Sequence, residues 1–294
     1  MDRWLHEAAL RGDVPAFLDL VQEDENIVGQ RIGGSSNTVL HLAAKFGHLE
    51  LASEIVKLSP AMVSKENERM ETPLHEACRE GHVDIVKLLM EDEPWVDIVK
   101  EILKARPDFM GKRDLQECSP LHLACKKGHL EITRELLRLD PDLSSLQDND
   151  GRTPLHWAAM KGHVCILDEI LSTSLESVEM LTKQGETVLH LAVKNNRYNA
   201  IKYLVETLNI TELINMPDKN GNTILHLATA GKFTTLHEAV LRGDVPAFLT
   251  LVREDENIVG QPVGGSSSSV LHLAAKFGHL ELASETVKLS PAMV

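Results

Sequence analysis

Short amphipathic segments follow one another along the chain in pairs. In "SPLHLACKKGH" (119–129), Leu121 and Ala124 lie at helical spacing, and Gly128 follows about two helical turns after the start. The next segment, "HLEITRELLRL" (129–139), again places apolar residues about one helical turn apart. A glycine that adopts positive φ can end the first helix. The pattern therefore predicts two short helices joined at a glycine.

The same pair of segments recurs at a nearly constant period. A Leu-His pair marks each copy, with histidines at His6, His41, His75, His122, His156, His190, His226, His237 and His272. Successive gaps are 35, 34, 47, 34, 34, 36, 11 and 35 residues. Ankyrin and tetratricopeptide repeats both have periods of about 34 residues, so local residues have to distinguish them.

Local residues favour the ankyrin repeat. "TPLHEACREGH" (72–82), "SPLHLACKKGH" and "TPLHWAAMKGH" (153–163) match its signature over eleven positions each, and the tetratricopeptide landmarks are absent. Thr72, Ser119 and Thr153 can cap a helix, and the proline after each suits the first helical turn, where a missing N–H costs nothing. The chain resembles ankyrin-repeat proteins over nearly its whole length.

Turn-forming stretches separate the repeats. "DNDGR" (148–152) and "DKNGN" (218–222) predict protruding hairpin tips. A two-helix repeat cannot bury its apolar face alone, so stacking has to supply the core. We therefore predict an all-α solenoid of helix-turn-helix repeats with hairpin loops, with about seven repeats in 1–233. Its concave surface of helix ends and tips is suited to binding proteins and encloses no pocket.

The 47-residue gap predicts an additional helical segment. "VDIVK" occurs at 83–87 and again at 96–100, so the second helix of this repeat has been copied. We predict an extra helical insertion at about 91–105 that protrudes from the convex side.

The 11-residue gap marks a second copy of the start of the chain. Residues 235–294 repeat residues 4–63 at an offset of 231, with nine differences. The seventh repeat keeps its first helix and is then truncated, which predicts a register break near 231–235 and two further ankyrin repeats in 234–294. Either a recent copying event or a misassembled gene model would explain the copy.

Composition and net charge disfavour some classes of binding partner. The chain has 30 Lys plus Arg against 44 Asp plus Glu, a net charge of −14, which repels nucleic acids and anionic lipids. No run approaches the ~20 apolar residues that a membrane-spanning helix needs. Four cysteines without CxxC pairing indicate reduced thiols, with Cys78 and Cys125 as small core residues. We expect a cytoplasmic protein without a membrane span in this chain.

The residues do not predict an enzyme. All 14 histidines belong to Leu-His or Gly-His pairs of the repeat. "HEACR" (75–79) has Arg79 where the zinc-protease motif needs its second histidine, and "GQRIGGSSNT" (29–38) lacks the GK[ST] ending of a phosphate loop. We expect no catalytic residue, metal or cofactor, and we predict that 29–38 forms a hairpin tip.

Three segments resemble one plant group more specifically. "LHEAALRGD", "GHLELASEIVKL" and "NGNTILHLA" are similar to the plant ankyrin membrane proteins with a Pro-Gly-Gly domain. The resemblance implies salt-stress, defence or cell-death signalling and a cytosolic ankyrin half that precedes membrane helices. We expect this chain to lack the membrane half, because the second copy of the opening block stands in its place. A protein-interaction scaffold and a membrane-associated regulator, which docks to a membrane-bound relative or is part of a longer protein, both remain open.

The residues before each helix-ending glycine are expected to point into the groove. Those of the third to fifth repeats, with the adjacent tip, are the predicted protein-binding residues Arg79, Glu80, Lys126, Lys127, Trp157, Met160, Lys161, Asn149, Asp150 and Arg152. Arg79 and the two lysines are expected to form a basic patch, and Trp157 with Met160 to supply apolar anchors, since Trp and Arg are enriched at binding hot spots. The alternative is that Trp157 packs between repeats and the lysines are solvated.

Overall fold

The structure is a computed structural model, and it describes residues 2–33, 36–90, 110–208, 211–228, 246 and 280–289. The chain divides into two compact units, Met1–Asn209 and Ile210–Val294. Within the described residues the secondary structure is helical, apart from an isolated bridge between Ile32 and Asn37.

The described residues of the first compact unit include six helix pairs, one for each repeat. Their bounds are α1 Asp2–Arg11 and α2 Val14–Glu23; α3 Val39–Phe46 and α4 Leu49–Leu58; α5 Pro73–Glu80 and α6 Val83–Met90; α7 Pro120–Lys127 and α8 Leu130–Leu139; α9 Pro154–Lys161 and α10 Val164–Thr173; and α11 Val188–Lys194 and α12 Tyr198–Thr207. Each first helix packs on the first helix of the next repeat, and each second helix packs on the second helix of the next repeat. The predicted all-α solenoid of stacked two-helix repeats is confirmed.

The first helices of the third to fifth repeats begin and end as their sequences predict. Thr72 precedes α5 with extended backbone, and its N–H donates to Nδ1 of His75 at 3.0 Å. Gly81 ends the helix in the left-handed region, at φ 90°, where a residue with a Cβ would be strained. Ser119 and Gly128 have the same roles in α7.

In the second to fourth repeats, the histidine of the Leu-His pair joins its repeat to the next one. Its Nδ1 accepts from the capping residue, so the ring proton is on Nε2. The Nε2–H donates to the carbonyl of the residue that precedes the capping residue of the next repeat. His41 donates to the carbonyl of Glu71 at 2.9 Å, and His122 donates to that of Arg152 at 3.1 Å. These rings are completely buried, and desolvation lowers their pKa to about 4. His75 and His156 are buried with the same shift.

In the same three repeats, the histidine of the Gly-His pair reaches in the opposite direction. Nε2 of His82 lies 3.1 Å from the carbonyl oxygen of Lys45 in the preceding repeat, and Nε2 of His129 lies 3.1 Å from that of Arg79. The two histidines of one repeat therefore diverge, and their predicted structural roles are confirmed.

The hairpin tips also join neighbouring repeats. In 148–152 the amide of Asp148 donates to the carbonyl of Arg152, and Gly151 adopts φ +76°. The amide of Lys183, on the next tip, donates to the carbonyl of Asp150 at 2.8 Å. The bridge between Ile32 and Asn37 confirms the predicted tip in 29–38.

Small and branched aliphatic residues fill the space between the helices. Leu74, Leu121 and Ile132 are completely buried. Cys78 and Cys125 are buried among the first helices, which confirms the prediction that they are core residues. Phe17 is the largest completely buried side chain in the part of the chain that the structure describes.

In the second compact unit, the structure describes α13 (Thr211–Asn215), the turn at 218–222, helical residues at 224–228 and α14 (Leu280–Leu289). α14 corresponds to α4 at the offset of 231 residues. The extra helix at 91–105, the register break near 231–235 and most of the copied block lie outside the described residues. The division at 233/234 therefore stays a prediction.

Candidate protein-interaction surface

A cleft of about 630 Å³ opens where the hairpin tips meet the first helices of the second to fourth repeats. The first helices contribute its floor and the tips its rim. Its lining residues are Lys45, Arg69, Glu71, Glu76, Arg79, Glu80, Asp114, Leu115, Gln116, Leu123 and Lys126. We refer to this feature as the tip cleft.

Arg79 lies in the tip cleft but does not add free positive charge. Its Nη1 donates to Oε2 of Glu76 at 2.9 Å, and its Nη2 pairs with Glu71. Burial alone would raise the pKa of Glu71, but the Arg79 charge and hydrogen bond outweigh it and lower the pKa. For Glu76 burial prevails and raises the pKa. The prediction that Arg79 joins a basic patch is wrong, because two carboxylates already hold its guanidinium.

Trp157 combines packing with partial exposure. Its indole Nε1 donates to Oδ2 of Asp148 at 2.9 Å. Nζ of Lys126 lies 4.2 Å from the ring centroid, and Cζ of Arg152 lies 5.4 Å from it. Both distances are within the range of a cation–π interaction. Arg152 also pairs with the exposed carboxylate of Asp150 at 2.7 Å. We refer to Trp157, Lys126 and Arg152 as the indole cluster.

The other predicted residues lie around these two features. Glu80, Lys127, Lys161 and Asn149 are exposed. The amide and side chain of Asn149 hydrogen-bond to carbonyls of the preceding tip, those of Gln116 and Leu115. The carbonyl of Met160 accepts from Nε of Arg197, and its side chain is half-buried.

The sequence did not lead us to predict the cleft residues that lie on the hairpin tips. Arg69 and the segment Asp114–Gln116 line it, and Leu115 is 60% exposed. A leucine in the turn sequence "RDLQE" (113–117) is the signal that could have identified this position, since a large apolar side chain has no packing role at the end of a tip.

In the described part of the chain, histidine, cysteine and carboxylate groups do not gather in sets of three that could hold a metal ion. The described helices are too short or too polar to cross a membrane.

The fold and surface define a class: a repeat protein of stacked helix pairs with an open cleft along its tips. The sequence matches the family described as "Ankyrin repeats (3 copies)" over residues 5–97, 94–177 and 164–236. The chain belongs to the ankyrin-repeat family.

Relatives align over a short segment. "Protein ACCELERATED CELL DEATH 6" of Arabidopsis thaliana is 41% identical over 56 residues, 19% of this chain and 8% of the relative. "Ankyrin repeat domain-containing protein 7" of Homo sapiens is 37% identical over 54 residues, 18% of this chain and 21% of the relative. "Ankyrin repeat and KH domain-containing protein mask" of Drosophila melanogaster is 42% identical over 53 residues, 18% of this chain and 1% of the relative. The aligned segment spans less than a quarter of each relative.

Proposed function

We propose that this chain is a non-enzymatic scaffold that binds another protein through its third to fifth repeats. The observation that carries the proposal is the tip cleft, an open surface with an exposed leucine at its rim and lysines at its floor. Such a surface presents apolar area and hydrogen-bond donors to a polypeptide. It offers no enclosed volume in which a small substrate would be desolvated.

The indole cluster extends the same surface into the fifth repeat. Trp157 is held in one orientation by Asp148, so its exposed face is fixed before a partner arrives. A rigid aromatic side chain loses little conformational freedom on binding, which favours it as an anchor. Met160 and Lys161, at the end of the same helix, complete the proposed contact area.

The proposed context is signalling in the plant cell cytoplasm. The similarity to "Protein ACCELERATED CELL DEATH 6" supports a role in cell death or defence. Because the chain covers 8% of that relative, its whole activity and its partners belong to the proposal and not to the findings.

Replacing Lys126, Lys127 and Met160 together by alanine is expected to remove specific partners while the melting temperature stays nearly the same. All three side chains are partly or fully exposed, and surface substitutions away from packed features usually change stability by about 0.5 kcal/mol or less. Tagged wild-type and variant chains would be expressed in plant cells, and captured proteins quantified by mass spectrometry.

A matched control is the triple replacement of Lys65, Lys202 and Glu206 by alanine, which removes charges elsewhere on the surface. Partners that survive this control but are lost from the first variant support the proposal. An identical set of partners on wild type and on the Lys126, Lys127 and Met160 variant would contradict it.

A second candidate is a membrane-associated regulator, as part of a longer protein or through a membrane-bound relative. The resemblance to plant ankyrin membrane proteins favours it. Cell fractionation separates the two: a cytoplasmic scaffold stays in the supernatant, whereas a membrane regulator sediments with membranes.

A further inference from the structure

We infer that the tip cleft binds an extended peptide segment that carries Asp or Glu side chains beside apolar ones. This inference rests on the proposed function and adds the chemistry of the partner.

In two repeats, a cation on the first helix is neutralised by an acid eight residues earlier. Arg79 pairs with Glu71 in the third repeat, and Lys194 pairs with Glu186 at 2.8 Å in the sixth. Both acids are buried at the position just before the helix cap. The pairing is therefore a property of this position in the repeat.

The fourth repeat keeps the cation and lacks the acid. Cys118 occupies the position of Glu71, and its buried thiol cannot neutralise Lys126. Burial raises the pKa of that thiol to about 12, so it stays protonated. Lys126 instead lies over the Trp157 ring, an interaction that leaves ammonium hydrogens free for an acceptor.

Two further cations line the same cleft without an ion pair among the described residues. Eight residues before Lys45 the chain has Asn37, which carries no charge to neutralise it. Arg69 is exposed on the hairpin tip of the third repeat. With Lys126 they provide hydrogen-bond donors along the tip cleft.

The carboxylates of the cleft are already engaged. Glu71 and Glu76 accept from Arg79, and Asp114 accepts from the amides of Gln116 and Cys118 at 2.8 and 2.9 Å. Glu80 is the exposed exception. A ligand that enters the tip cleft therefore meets available hydrogen-bond donors more often than available hydrogen-bond acceptors. The cleft favours ligand groups that accept hydrogen bonds, such as carboxylates.

Apolar groups line the same cleft. Leu115 is 60% exposed on the tip of the fourth repeat, and Leu123 lies at the floor of the cleft. Side chains of an extended peptide alternate in direction, so acidic and apolar residues can face the cations and the leucines in turn.

The net charge of −14 does not prevent this binding. At physiological ionic strength charges are screened beyond about 8 Å, so a short acidic segment responds mainly to the cations within the cleft. A long polyanion or an anionic membrane would also contact the acidic surroundings, which disfavours both.

Fluorescence anisotropy of labelled short peptides tests the inference with the full chain. Three sets share the same leucines and differ in carrying Asp and Glu, Asn and Gln, or Lys and Arg at the remaining positions. We expect the acidic set to bind tightest and to weaken with added salt. Lys126→Met should weaken it about tenfold, the scale of one charged hydrogen bond, and Leu115→Ala should weaken it further.

Lys126→Arg keeps the charge and should restore most of the affinity. Lys202→Met, which removes one positive charge from α12 outside the cleft, should leave it unchanged. Melting curves confirm that each variant is folded.

Preference for neutral or basic peptides, absence of peptide binding, or acidic binding that Lys126→Met leaves intact would each overturn the inference. Binding to vesicles of anionic lipid without binding to acidic peptides would also overturn it. The capture experiment judges the scaffold function independently, since specific partners lost from its triple variant support that function whatever the peptides show.

Discussion

Lowering the pH from 7 to 5.5 is expected to destabilise the first compact unit by about 5 kcal/mol, because an unfolded histidine with a pKa of about 6.5 takes up a proton in this range. In the fold, burial lowers the pKa of His41, His75, His122 and His156 to about 4. The folded rings therefore remain neutral while the unfolded chain is protonated.

The direction of this pH effect follows from the pKa values of the histidines in the unfolded chain and in the fold. The stabilisation that these histidines provide is complete above pH 6.5 and is lost as the pH falls towards 4. By pH 5.5 the loss is about 1.2 kcal/mol for each ring. Protonation of a folded ring would break a hydrogen bond. Nδ1 accepts from the N–H of the capping residue, and a protonated Nδ1 would place its own hydrogen against that N–H.

Urea unfolding at pH 7 and pH 5.5, followed by circular dichroism, measures the effect. His122→Asn removes one of the four rings and should reduce the difference between the two pH values by about 1.2 kcal/mol, whatever it does to stability at pH 7. Equal free energies of unfolding at both pH values would show that the buried rings are not kept neutral by the fold.

Gly151→Ala is expected to cost about 3 kcal/mol or more. Gly151 has φ +76°, and a Cβ there would lie 2.6 Å from the backbone nitrogen of Lys183. That nitrogen donates to the carbonyl of Asp150, so a methyl group would separate the fifth and sixth tips. Backbone strain at positive φ accounts for about 1 kcal/mol of the total, and the lost contact for the rest.

Gly33→Ala separates the two contributions. Gly33 has φ +72° on the second tip, and no described atom lies within 4 Å of its added Cβ, so only the strain should appear. Thermal unfolding of both variants, with hydrogen exchange of the Lys183 amide, measures the difference. Equal costs for the two substitutions, with unchanged exchange at Lys183, would refute the role of the tip contact.

The helices were predictable because their determinants lie within a few residues. Thr72 with its following proline fixes the start of α5, and Gly81 fixes its end. The stacking of Cys78 and Cys125 followed from their place in the repeat. Neither inference required knowledge of distant contacts.

The candidate surface was predictable only in part, because its charges depend on pairings that the period does not reveal. Arg79 and Lys126 occupy the same position in successive repeats, yet Glu71 neutralises one and Trp157 contacts the other. The exposure of Leu115 depends on the shape of its tip, which composition does not determine.

Histidines that reach forward to the next repeat and backward to the previous one make each joint self-contained. In each of the second to fourth repeats, one ring reaches a carbonyl of the next repeat and the other reaches a carbonyl of the previous one. Gene duplication can therefore lengthen or shorten the array by whole repeats without redesigning any junction. Extra residues are also tolerated where they fall between two joints, since Nε2 of His75 still lies 3.3 Å from the carbonyl oxygen of Cys118 across the 47-residue gap.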